Sequence, residues 1–319
     1  MASSANNMES AQNLKRRMKS VKNIGQITKA MELVAATKMR RSQELALNSR
    51  PYAYTAIEIL ATLSNLDRVA LPELLRGREV RKTAFLMVTS DKGLAGSFNS
   101  SVIRKFEKYV KENTVDLRDP RYVFIAIGQK SRSYFERRVP AVAASFIRVG
   151  DYMRPEEVAP ISDYLIKGYR EGVFDEVVLF STVFVTALRQ EVFVRQILPV
   201  SFEKIRESFA LLVPESGKYS QYIDTATLED GRAREYLIEP SAGEILEELA
   251  AQLLMTRIYH AILEANASEH SARRVAMKNA SENAAELSEN LTVEYNKSRQ
   301  AAITREIIEV TSGAQSFGQ

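Results

Sequence analysis

Cysteine and tryptophan are absent from the 319-residue chain. Without cysteine there is no disulfide, no thiolate nucleophile, no zinc–thiolate centre and no thiol-based redox switch within the chain. Histidine occurs twice, at His260 and His270, which leaves little room for a His-rich metal site or a Ser-His-Asp triad. No apolar run approaches the ~20 residues that a membrane-spanning helix needs. The first 13 residues hold neither Lys nor Arg nor an apolar stretch, which fits neither a secretory signal nor an Arg-rich transit peptide. Membrane association is therefore expected to go through a partner or a surface. Proline is scarce and unevenly placed: of 9, Pro51 is the first and Pro240 the last.

What is present is ordinary for a soluble protein of one or two domains: 45% hydrophobic residues, 26% charged ones and a net charge of +4. With no proline between Asn13 and Arg50 or between Ser241 and Ser312, nothing there must break a helix. In the first stretch Leu14, Met18, Val21, Ile24, Ile27, Met31, Val34 and Met39 recur at helical spacing. In the second, Ile245, Leu249 and Leu253 begin a row that Leu287, Leu291, Ile303, Ile307 and Val310 continue, and Gly313 is the expected helix stop. At ~1.5 Å per residue the second helix reaches roughly 100 Å, too long for the interior of a globule of this size. Between the prolines the period changes. Ala84–Val88, Tyr122–Ile127 and Val177–Phe180 read as buried parallel strands, separated by helices over Val102–Lys111, Ser131–Arg137 and Glu156–Tyr169. This predicts an α/β domain over about 80–215, with Ser201–Pro240 as an irregular connection. The expected fold class is α/β, with a Rossmann-like domain inserted between two long terminal helices that pair as an antiparallel coiled coil. The domain bounds are 1–60, 61–240 and 241–319.

Motifs of catalytic character are weak. Ser90-Asp91-Lys92-Gly93-Leu94-Ala95-Gly96-Ser97 follows the first strand and opens a helix, where α/β folds hold phosphates, yet it matches neither a dinucleotide nor a P-loop fingerprint. Gly128-Gln129-Lys130-Ser131 lacks the upstream glycine spacing. Both read as strand-to-helix turns. Ser97 lies outside G-x-S-x-G, and the α/β segment has no histidine to activate it, which argues against a hydrolase. No catalytic, metal or cofactor site is expected.

From Lys15 to Arg50 ten basic residues face two acidic ones, a local excess larger than the net charge of the whole chain. Such a helix suits nucleic acid, a membrane surface or an acidic protein partner. The stretch has no aromatic residue to stack on bases, and its basic positions go round the helix, so an acidic protein surface is favoured. Between Glu264 and Ala285, ten Ala and Ser residues suit close packing or passage through a narrow space.

Two terminal motifs carry a resemblance. Ile27-Thr28-Lys29-Ala30-Met31-Glu32-Leu33-Val34-Ala35-Ala36-Thr37-Lys38-Met39, followed by Arg50-Pro51-Tyr52, is similar to the amino-terminal helix of ATP synthase gamma chains. Ser268 to Ala280, Tyr295 to Gln300 and Ile303 to Ala314 resemble the carboxy-terminal helix, the last of these at each position of the family's signature; Ser90–Gly96 and the strand before it also match. The resemblance covers essentially the whole chain. It implies a central rotor shaft, not itself an enzyme, whose paired helices turn inside a hexamer of three alpha and three beta subunits while the α/β domain, with the epsilon subunit, rests on the c ring.

By match to the family, Arg299, Gln300 and Thr304 make polar catch contacts with the alpha and beta subunits, and Glu306 and Glu309 join them. Lys29, Met31 and Lys38 line the amino-terminal side of the same coupling region. Small side chains with Ile307, Ile308, Val310 and Phe317 suit a smooth tip. No cofactor and no nucleic acid is implied. The implied location is peripheral, on the cytoplasmic face of a bacterial inner membrane. The Ser201–Pro240 connection is longer than the compact bacterial pattern, Met8 is an alternative initiator to Met1, and the absence of cysteine removes the thiol switch of plant chloroplast relatives. The competing reading is a Rossmann-like nucleotide-binding protein with helical extensions, which would use Gly93–Ser97.

Overall fold

A computed structural model of the chain describes residues 11–48, 72–200 and 241–316. The expected irregular connection over Ser201–Pro240, together with Met1, Met8 and Phe317, lies outside the described residues. The elements run α1 (Ala11–Asn48), β1 (Thr83–Val88), α2 (Phe98–Glu112), β2 (Tyr122–Ile127), α3 (Gln129–Phe135), β3 (Ala144–Phe146), α4 (Pro155–Arg170), β4 (Glu176–Phe184), β5 (Gln190–Leu198) and α5 (Ala242–Ser316). The chain divides into two compact units, one of residues 1–34 and 274–319, the other of residues 35–273.

In the unit of residues 35–273, a five-stranded sheet has the order β3-β2-β1-β4-β5. The three apolar runs read as parallel strands are β1, β2 and β4, and β1 pairs in parallel with both of the others. β3 joins the parallel set beside β2, whereas β5 turns back antiparallel on β4. Neither β3 nor β5 is a dense apolar run. β3 has three residues, and β5 is half-buried along most of its length, so it carries Glu191, Arg195 and Gln196 among its apolar positions.

The sheet is covered on both faces because β1, β2 and β4 are apolar on both. On one face Phe85, Phe124 and Phe180 meet Phe106 of α2 and Phe135 of α3. Phe106 stands edge-on to Phe180 with ring centroids 5.1 Å apart, a preferred aromatic geometry. On the other face Leu86, Ile125 and Leu179 pack on Val158, Ile161 and Leu165 of α4 and on Leu246, Leu253, Leu254, Ile258 and Ile262 of α5. Two glycines are required by contact. A Cβ on Gly128, at φ 93°, would lie 2.1 Å from the Thr89 carbonyl oxygen, and one on Gly168 would lie 2.5 Å from the Phe174 ring. Arg78 fastens a corner: it pairs with Asp175 at 2.7 Å, donates to the carbonyls of Tyr169 and Phe174 at 2.7 and 2.9 Å, and lies over the Tyr169 ring.

In the unit of residues 1–34 and 274–319, parts of α1 and α5 touch each other. Gly25 admits a Cβ only at 3.4 Å from Ala284, and the Ser281 hydroxyl lies 3.5 Å from the Gly25 carbonyl. The covered positions follow the apolar row read in sequence only in part. On α1 they are Leu14, Met18, Val21, Gly25, Thr28, Met31 and Glu32, whereas Ile24, Ile27 and Val34 are exposed. On α5 they are Val275, Ala276, Met277, Ala280, Ser281, Ala284, Ser288, Leu291, Tyr295, Ser298 and Ala301, whereas Leu287 is exposed. A row advancing by steps of three and four runs through each set. The expected stop at Gly313 is overturned, since α5 runs through it to Ser316. A glycine costs ~1 kcal/mol inside a helix, which lowers its stability without ending it.

Candidate functional site

The residues expected to meet partners stand mostly in the open. Arg299, Gln300, Thr304 and Glu306 are exposed on α5, Glu309 follows on the same helix with its side chain outside the described ones, and all five belong to the unit of residues 1–34 and 274–319. In that unit Lys29 is exposed and paired with Glu32 at 2.9 Å, and Met31 is half-buried. Large apolar side chains are exposed there too: Ile27 at 59%, Leu33 at 61% and Ile307 at 57%, with Ile24, Val34, Val293, Ile303 and Ile308 similar. That much uncovered apolar surface on one pair of helices marks a site of association.

Lys38 falls in the other unit and has a partner inside the chain. Its ammonium lies 2.6 Å from Asp151 Oδ2. Asp151 belongs to the loop between β3 and α4, and its other oxygen lies 2.7 Å from His270 Nε2 on α5. Arg273 Nη1 approaches His270 Nδ1 at 3.2 Å. A guanidinium has no acceptor, so Nδ1 accepts from Arg273, and Nε2 carries the proton and donates to Asp151. Arg273 is held in turn by Glu269 at 2.6 Å and by the Gly93 carbonyl at 3.1 Å. The hydrogen bond from His270 and then that from Lys38 hold the Asp151 carboxyl well below the usual carboxylate range, against the effect of burial. Burial raises Glu269, with Arg273 opposing.

These groups border a cleft of about 260 Å³ at the carboxyl ends of β1, β2 and β3, where α/β folds commonly bind ligands. In the Gly128–Ser131 turn the amides that could meet a phosphate are already bonded within the chain. The amides of Gln129, Lys130 and Ser131 donate to Asp91 Oδ1, the Ser90 carbonyl and Thr89 Oγ1 at 2.9, 3.1 and 2.7 Å. Ser90 Oγ and Asn99 are bonded to each other. The Gly128–Ser131 turn therefore serves as a strand-to-helix connection, as its incomplete fingerprint suggested. Among the described residues no cluster of His, Asp and Glu is arranged to hold a metal ion, and no helix is long and apolar enough to cross a membrane.

Sequence reasoning missed the junction of Lys38, Asp151, His270 and Arg273. His270 and Arg273 stood inside a recognised motif, but Asp151 is 113 residues from Lys38 and 119 from His270, beyond any local pattern.

A family model described as ATP synthase matches residues 10–317. The ATP synthase gamma chain of Desulforamulus reducens is 38% identical over 308 residues, covering 96% of this chain and 99% of the relative. The chain belongs to the ATP synthase gamma-chain family. A gamma chain of Roseiflexus sp. is 36% identical over 321 residues, covering 98% of this chain and 100% of the relative. The fold agrees with solved structures. A chain of the Euglena gracilis mitochondrial ATP synthase OSCP/F1/c-ring assembly superposes with a TM-score of 0.61 at 17% identity, covering 96% of this chain and 94% of that one. A chain of the Tetrahymena thermophila central stalk and c-ring assembly gives 0.55 at 24%, covering 80% and 99%. As a member of that family, the protein is a subunit of ATP synthase.

Proposed function

We propose that the chain is the rotor shaft that couples ion flow through a c ring to sequential conformational changes at the catalytic sites of an alpha3-beta3 hexamer. Its working parts are an amino-terminal helix (1–60), an α/β domain with its connections (61–240) and a carboxy-terminal helix (241–319). The observation that carries the reading is the exposed apolar surface of the paired helices, with Ile27, Leu33, Ile303, Ile307 and Ile308 uncovered in the chain alone. A sleeve of partner subunits would bury it.

The helices are read as an antiparallel coiled coil. The row of three- and four-residue steps that runs through their covered positions supports this, since a repeat of ~3.5 residues keeps one seam facing a partner helix. Gly25, Ser281 and Ala284 allow close approach, which stiffens the pair against twisting. Stiffness is what torque transfer requires.

Coupling needs contacts that differ between subunit states, because a ligand shifts a conformational equilibrium only by its differential affinity. Arg299, Gln300 and Thr304, with Glu306 and Glu309, are the proposed catch contacts to the alpha and beta subunits; Lys29, Met31 and Lys38 are the amino-terminal ones. Hydrated charge pairs suit this task because they are directional yet reversible. The α/β domain would sit with the epsilon subunit on the c ring, so that the protein is peripheral, at the cytoplasmic face of a bacterial inner membrane.

The test is a charge reversal at Arg299 combined with Gln300→Ala in the assembled synthase. Ions pumped per ATP hydrolysed should fall while one copy per hexamer still assembles, read by native mass spectrometry. Pumping at the parental ratio would remove Arg299 and Gln300 from the coupling surface.

A further inference from the structure

Within the unit of residues 35–273, the loops at the carboxyl ends of the strands are stitched to the two long helices by directional bonds. Arg273 donates to the Gly93 carbonyl at 3.1 Å, Asn266 to the Gly150 carbonyl at 3.1 Å, Tyr259 to the Met153 carbonyl at 3.2 Å and Ser271 to the Ala187 carbonyl at 2.6 Å. All four donors are on α5. Asp151 does more, because it bonds both helices at once. Oδ2 takes Lys38 of α1 at 2.6 Å, Oδ1 takes His270 of α5 at 2.7 Å, and its backbone carbonyl lies 3.4 Å from the Ser42 hydroxyl of α1.

We propose that Asp151 is the positioning residue through which the α/β domain grips α1 and α5, so that torque entering the domain reaches the helices without slip. The proposal rests on the rotor reading above.

The physical reason lies in what each kind of contact resists. The apolar layer of Leu253, Leu254, Ile258 and Ile262 opposes separation of α5 from the sheet. Hydrophobic burial is non-directional, however, and a small rotation of a helix about its own axis leaves most of that area buried. Charge-assisted hydrogen bonds at 2.6–2.7 Å are short and angular, so a shift of about 1 Å breaks them. A carboxylate that bonds two helices from one loop resists rotation of either. His270 is only 3% exposed on its side chain, and its other nitrogen is fixed by Arg273, so its donor cannot swing away. The structure thus gives Lys38 an internal partner, in addition to the external contact proposed for it.

The experiment uses the whole synthase in vesicles, reading ATP-driven ion pumping against ATP hydrolysis, with hydrogen exchange of residues 259–273 on the same complexes. Asp151→Ala should lower the pumping ratio by about threefold or more and raise exchange in 259–273, with β1 and β4 still protected. Asp151→Asn, which still accepts from His270, should recover part of the ratio. His270→Gln, which keeps a donor, should stay nearer the parent than His270→Ala. Adding His270→Ala to Asp151→Ala should cost little further, because both substitutions break the same bond, whereas losses that simply add would overturn the proposal. If Asp151→Ala fails to assemble, His270→Ala and Lys38→Ala decide the matter, and parental ratios in both would overturn the proposal. Parental ratio and exchange in Asp151→Ala would overturn it outright. A parental complex that hydrolyses ATP without turning would instead refute the rotor reading.

Discussion

Among the described residues, the sheet of the unit of residues 35–273 is buried within that unit, although Leu94 and Leu188 stay exposed, whereas the helices of residues 1–34 and 274–319 leave much apolar surface uncovered. In the first, β1, β2 and β4 are covered on both faces, and Phe85, Phe106, Phe135 and Phe180 are shut away from water. In the second, the covered seam mixes Leu14, Met277 and Leu291 with Gly25, Thr28, Glu32, Ser281 and Ala284, while Ile24, Ile27, Leu33, Val293, Ile303 and Ile307 face outward. That much branched apolar surface left outside is unfavourable for a helix pair alone in water. It becomes favourable when the outer surface is enclosed. The difference teaches that one unit is built to fold and the other to be held.

Four outcomes would break or sharpen that contrast. The largest effect is expected in the enclosed unit: Phe106→Ala removes a fully buried ring among four aromatic neighbours and should lower stability by about 3–5 kcal/mol, measured by urea unfolding of the chain. A loss below ~1 kcal/mol would show that the sheet face is not tightly packed. Next comes Gly128→Ala, which forces a Cβ against the Thr89 carbonyl and strains φ 93°; a loss of about 1–3 kcal/mol is expected, with α3 exchanging its amides faster.

A third, smaller effect concerns acid. The Asp151 carboxyl has a folded-state pKa below its ordinary value of about 3.9, so its contribution is fully present above that value and is lost as pH falls through the lower folded one. Glu269 has the opposite sign. Its folded pKa is raised, so what it contributes declines as pH rises through that value. Asp151→Asn should therefore flatten the loss of stability as pH falls below about 4, followed by denaturant midpoints. An unchanged slope would mean that other carboxylates govern acid unfolding.

The smallest effect on the isolated chain is expected for Ile307→Ser, within about 0.5 kcal/mol because the side chain is already in water. The same substitution should weaken association with alpha and beta subunits, read by native mass spectrometry. A large loss of stability in the chain alone would mean that Ile307 is covered within it.

Much of this was legible in the residues. Tyr122–Ile127 announced β2 through an unbroken apolar run, and the absence of proline announced α1 and α5. β5 was not legible, because an edge strand half-covered by other elements tolerates Glu191 and Arg195 and shows no run. The seam of the helix pair was legible only in part: Leu14, Met18, Val21, Met31 and Leu291 of the sequence row are covered. Ile24, Ile27 and Leu287 look like core by hydrophobicity, whereas the structure covers Gly25, Thr28 and Ala284, chosen for size. Of the proposed coupling residues, Arg299, Gln300 and Thr304 came from a motif, and their exposure leaves them available to a partner.

Local order and family membership were determined by the sequence itself, because helix periodicity, strand runs and terminal motifs are written in neighbouring residues. The tertiary structure alone decided the strand order, the antiparallel turn of β5 and the meeting of Lys38, Asp151 and His270. Those depend on which distant segments share a surface once the sheet is covered, and a carboxylate held by two helices finds both partners only when that burial has brought them within hydrogen-bond reach.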